Sequence, residues 1–103
     1  MKKILLAGAA LTALTAAAQA ESHMSEVKIG ILLGFTGPIE SLTPSMAASA
    51  ELAIDEVNES GKLLGGAKVS AVRADSTCVD SGAATAAAER MITSDGVKAI
   101  MGA

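Results

Sequence analysis

The run Val27 to Leu33 (VKIGILL) constrains this chain more than any other segment. Beyond Lys28 it is almost unbroken apolar sequence, rich in β-branched residues. A strand wetted on one face would alternate polar and apolar positions, whereas a strand covered on both faces reads continuously apolar. A central, parallel strand is therefore expected here. Sheets of that kind need helical crossovers, and the sequence supplies them in order.

Gly34 to Leu42 (GFTGPIESL) is full of turn formers and cannot extend the strand. Thr43-Pro44 then sets a capping hydroxyl before proline at the first helical position, so a helix is expected from there to about Glu59. Its apolar positions Met46, Ala50, Ala53, Ile54 and Val57 fall on one stripe, with Glu51, Asp55, Glu56 and Glu59 left for water. Gly61 stops it. Lys62 to Gly66 makes a turn into a second strand, Ala67 to Ala74. Asp75 to Asp80 (DSTCVD) is a polar loop. Asp80 or Ser81 caps a second helix running to about Thr93, with Ala84, Ala87, Ala88, Met91 and Ile92 on its inner face. Ser94-Asp95-Gly96 returns the chain to a third strand, Val97 to Met101.

The fold class is therefore α/β: a doubly wound parallel sheet begun as β-α-β-α-β, with strand order 2-1-3 and one helix on each face. In such sheets ligands sit beyond the carboxyl ends of the strands, where strand order reverses. That edge gathers Gly34 to Leu42, Asp75 to Asp80, and Gly102 with Ala103.

The N-terminus is read separately. Met1-Lys2-Lys3 is basic, Ile4 to Leu14 is an apolar run of 11 residues, and Ala18-Gln19-Ala20 offers small residues around a polar one. This is the pattern of a secretory signal peptide over residues 1–20, cleaved after Ala20, and it is too short for a membrane span. Residues 21–26 read as a flexible N-terminus, in which His23 is solvated and ligates no metal. Removing the leader and its two lysines leaves 83 residues with 6 basic and 11 acidic side chains. That acidic balance argues against a nucleic-acid partner. Of the apolar residues in this part 14 are alanine and 24 are larger, a thin core that suggests a piece of something longer.

Two chemistries are weighed at the binding edge. Gly30, Gly34 and Gly37 do not make a dinucleotide fingerprint, because Pro38 follows the last glycine and the helix waits until about residue 44. No cofactor is expected. Nucleophilic catalysis by Cys78 lacks a base, since the only histidine, His23, lies in the tail.

The segments VKIGILLGFTGP, AELAIDEVNESGKLLGG, DSTCVDSGAATAAAERMI and DGVKAIMGA, in this order behind a leader, resemble the periplasmic solute-binding proteins of branched-chain amino acid ABC transporters. The resemblance implies two α/β lobes closing on a solute, with residues 27–103 as the N-terminal part of the first lobe. It implies a periplasmic, non-enzymatic protein, monomeric at full length, that binds an amino acid and serves an inner-membrane ABC permease. It also implies a disulfide from Cys78 to a cysteine beyond Ala103. Hydroxyls and backbone N–H groups after strand three would grip the α-carboxylate, and Gly102 and Ala103, where that segment begins, are candidate ligand-binding residues.

By the same resemblance Leu42 stands where leucine-type binders carry an aromatic. It either lines the side-chain pocket or packs as a staple on the first helix. Ser41, Thr36 and Thr43 are hydroxyl donors in the same loop, Thr43 being read first as the helix cap. Asp75 and Asp80 are read as strand terminator and helix cap. The alternatives kept open are a periplasmic α/β enzyme and a ligand-sensing ectodomain of the same fold.

Overall fold

The computed structural model describes residues 26–102. The proposed leader and its cleavage point at Ala20, most of the N-terminal tail with His23, and Ala103 lie outside the described residues. Three parallel strands form one sheet in the order β2-β1-β3: β1 (Glu26–Leu33), β2 (Lys68–Asp75) and β3 (Ala99–Gly102). The register runs Glu26 to Lys68 through Leu33 to Asp75 on one side, and Ile29 to Ala99 through Leu32 to Gly102 on the other. The expected class, order and direction are all present. Glu26 already pairs with Lys68, so the strand starts one residue before Val27. The second and third strands begin and end slightly later than expected.

Helix α1 (Thr43–Ser60) covers one face and helix α2 (Ser81–Arg90) the other. Alternation along β1 divides the core accordingly. Ile31 and Leu33 pack with Ala47 of α1, joined by Phe35, Ala50 and Ala71. Leu32 packs with Ala74, Ala87, Met91 and Val97 on the α2 side. Gly30 faces Met91, whose sulfur would lie 2.9 Å from a Cβ at that position, so the missing side chain is the seat in which Met91 becomes fully buried.

Three details depart from the sequence reading. First, Thr43 makes no cap: the cap position falls on Leu42, with no side-chain cap bond. The residues ahead of the helix are already turned, Leu42 N–H and Thr43 N–H both donating to the Ile39 carbonyl. Thr43 is thus carried into the helix, fully buried, and its hydroxyl donates to the Gly34 carbonyl at 3.0 Å. Second, the buried face of α1 is shifted from its apolar stripe, sharing Ala50 and Ile54 with it, while Ala53 and Val57 line an open apolar cleft with Val27, Ile29 and Val69 of the sheet. Thr43 and Ala47 are buried and Ala50, Glu51, Ile54 and Asn58 half-buried, while Met46, Ala53 and Val57 are exposed. Asn58 explains the rotation. Its amide donates to the Val69 carbonyl at 2.8 Å and accepts from the Val69 N–H at 2.7 Å, pinning the helix to the edge of β2. Third, the second helix ends as a π-helical turn, Met91–Asp95, instead of continuing as an α-helix. The wider turn keeps Met91 inside and leaves Ile92 59% exposed, against the expectation that both face inward.

Gly61 stops α1 in the left-handed conformation, as expected. A 3-10 turn, Leu63–Gly65, leads into β2. No helix among the described residues is long and apolar enough to cross a membrane.

Candidate functional site

The carboxyl ends of β1 and β2 release two loops that lock together. The β1–α1 loop starts at Gly34, where an added Cβ would meet the Cys78 sulfur at 2.7 Å, and passes Gly37, at φ +96°, where a Cβ would meet the Thr77 carbonyl at 2.7 Å. Only glycine permits both the positive φ and that approach. The β2–α2 loop answers with Thr77 and Cys78 in left-handed conformations, at φ 59° and 62°. Ser76, buried beneath, donates its N–H to the Leu33 carbonyl at 2.9 Å.

Asp75 joins the loops through its side chain. The Thr36 hydroxyl donates to Oδ2 at 2.5 Å, while the N–H groups of Thr36 and Thr77 donate to Oδ1 at 3.3 and 2.8 Å. These bonds favour the charged form, the Thr36 hydroxyl most and the Thr77 amide next, and hold the carboxyl below its ordinary range. Asp80 caps α2 as expected, Oδ1 accepting from Gly82 N–H at 2.8 Å and Ala83 N–H at 3.1 Å.

Behind the loops, Arg73 forms a fork with Glu51 of α1, Nε to Oε1 at 2.6 Å and Nη2 to Oε2 at 2.7 Å. The same guanidinium lies 5.6 Å from the centroid of the Phe35 ring. Its bonds pull the Glu51 carboxyl below the usual range. A loop residue, an edge strand and a helix are thereby tied at one point.

The sequence-derived site residues are placed as follows. Ser41 and Leu42 are exposed on the rim of the β1–α1 loop, Leu42 with 61% of its surface free. So open a side chain buries little against α1. Gly102 ends β3 opposite Leu32, at φ +123°, and a Cβ there would fall on the Leu32 carbonyl. It lies at the same sheet edge as the loops. The Thr36 hydroxyl is exposed but engaged by Asp75, and the Thr43 hydroxyl is buried against Gly34, so each already has a partner within the protein. Cys78 is exposed, its sulfur 3.7 Å from the Ser76 hydroxyl, and it borders an open cleft of about 310 Å³ with Val79, Asp80, Ser81 and Ala84.

Sequence reasoning missed the Thr36–Asp75 pair. The only available signal was a hydroxyl and a carboxylate, each just past a strand end of one parallel pair. The arrangement offers the Leu42 side chain, the Ser41 hydroxyl and the backbone of Gly102 at a sheet edge, which suits noncovalent recognition. Among the described residues no group of three or more His, Cys, Asp or Glu is placed to hold a metal.

Comparison with known proteins bears on what this edge serves. The Leu/Ile/Val-binding protein homolog 8 of Brucella suis biovar 1 (strain 1330) is 39% identical over 98 residues, covering 95% of this chain and 24% of that protein. Homolog 7 of the same strain is 34% identical over 102 residues, covering 99% of this chain and 24% of its own length. Homolog 7 of Brucella abortus (strain 2308) is 36% identical over 99 residues, with 96% and 23% covered. The chain thus spans about a quarter of the length of these curated relatives. A family profile described as periplasmic binding protein matches residues 26–103. With its parallel sheet in the order 2-1-3, the chain belongs to the periplasmic binding protein family.

Proposed function

We propose that this chain is the N-terminal part of the first lobe of an extracytoplasmic solute receptor that delivers an amino acid to an inner-membrane ABC permease. The observation that carries the reading is the joint presentation of exposed Leu42, Ser41 and Gly102 at the carboxyl edge of a periplasmic-binding-protein sheet. Leu42 supplies an apolar contact for a solute side chain. Backbone groups from Gly102 onward serve the solute's carboxylate. Such a half-site binds weakly until a second lobe closes over it, and solute shifts the population toward the closed form by touching both.

Branched-chain amino acids are the default solutes, in line with the names of the relatives. Residues 1–20 act as the export signal, cleaved after Ala20, and deliver the protein to the periplasm. Cys78 pairs with a cysteine beyond Ala103. Calorimetry of the full-length gene product against a panel of amino acids, amides and urea tests the reading. Saturable binding of a branched-chain amino acid is expected, and no measurable binding by residues 21–103 alone. A full-length product that binds none of the panel, or a fragment that binds with micromolar affinity, contradicts it.

A further inference from the structure

We propose that Asp75 is a positioning residue for solute binding, holding the β1–α1 loop in the shape that presents Ser41 and Leu42; the role rests on the solute-receptor reading above. The loop is pinned at both ends. At its far end the buried Thr43 hydroxyl holds α1 to the Gly34 carbonyl. At its near end the Asp75 carboxylate accepts from the Thr36 hydroxyl and from the Thr36 N–H, and through the Thr77 N–H it ties the same point to the β2–α2 loop.

Between the pins the bonds are local: Glu40 N–H to the Gly37 carbonyl at 3.3 Å and Leu42 N–H to the Ile39 carbonyl at 2.9 Å. Neither fixes the loop relative to the sheet. The close approaches at Gly34 and Gly37, with half-buried Ile39 beside Gly34, add only nondirectional dispersion contacts, whereas a charge-assisted hydrogen bond fixes direction as well. Asp75 therefore acts through Thr36 on rim residues it does not touch. Loss of this restraint leaves the loop to be ordered by the solute, which lowers affinity without removing any solute contact.

The test uses the full-length gene product carrying Thr36→Val, Thr36→Ser or Asp75→Ala. Hydrogen exchange of residues 36–42 is followed without solute, and binding of leucine and the other amino acids is measured by calorimetry. Thr36→Val and Asp75→Ala are expected to raise exchange in the loop about tenfold and to weaken binding about tenfold. Thr36→Ser, which keeps the hydroxyl, should stay within about twofold of wild type in both. Should Asp75→Ala fail to fold, the Val and Ser pair at position 36 decides alone. Wild-type exchange or wild-type affinity in Thr36→Val overturns the positioning role while leaving the receptor reading intact. A wild-type protein that binds no amino acid overturns the receptor reading and this role with it.

Discussion

Replacing Asn58 with alanine tests how the first helix is fastened to the sheet. The Asn58 amide makes two hydrogen bonds to one residue, Val69, at 2.8 and 2.7 Å. Both backbone groups of Val69 are engaged from the side away from β1, so the amide stands where a further strand would pair. Two such bonds contribute about 1 kcal/mol each, near 2 kcal/mol together. Alanine is the better helix former by about 0.6 kcal/mol, which offsets part of the loss. A net destabilisation of about 1.5 kcal/mol is expected for Asn58→Ala. The assay is urea unfolding of the full-length gene product, read as a lowered midpoint of the transition that includes this lobe with an unchanged slope. Asn58→Asp is the companion variant: it keeps an acceptor for the Val69 N–H but sets a carboxylate against the Val69 carbonyl, and should be no more stable than the alanine variant. An Asn58→Ala protein as stable as wild type would show that water serves Val69 equally well, and the fastening argument would fall.

Two further outcomes follow from the core and from the loop carboxylate. Met91→Ala should cost about 2 to 5 kcal/mol, because Met91 is fully buried on a seat left open by Gly30 and the strands cannot close over the void; chemical denaturation measures it. The depressed Asp75 and Glu51 carboxyls give stability that is fully present above the ordinary carboxylate range, near pH 4, and is lost as pH falls through their lower folded values. Acid titration of the unfolding midpoint should accordingly separate wild type from Asp75→Asn at pH 6, with the gap narrowing as the pH falls below the ordinary carboxylate range; a gap that widens on acidification would contradict the sign.

Much of the fold could be read from local pattern. The apolar run of β1, Pro44 at the start of α1, Gly61 at its stop and Asp80 before α2 each act over a few residues, and each works in the structure as its chemistry dictates. What could not be read depends on distance or on competition. Thr43 looked like a cap, but the cap rule assumes extended chain ahead of it, and the Ile39 carbonyl had already drawn that chain into a turn. The stripe on α1 placed Met46 and Val57 inward, yet both are exposed, while Thr43 bonds to the Gly34 carbonyl just past β1 and Asn58 to the Val69 carbonyl of β2. Thr36 and Asp75 meet across 39 positions, and no local periodicity encodes such a pair. At the site, the sequence left Leu42 between a pocket wall and a helix staple, and the engagement of the Thr36 hydroxyl by Asp75 was not legible.

The π-helical turn at Met91–Asp95 has a bearing on how this segment tolerates changes in length. Its backbone bonds span one residue more than those of an α-helix, and Val97 N–H and Gly96 N–H both return to the Met91 carbonyl. The chain therefore carries a spare residue between the anchor Met91 and the start of β3. Shortening it by one between Ile92 and Asp95 would tighten the coil to ordinary pitch while Met91 and Val97 keep their places, so gaps in relatives are best accommodated here.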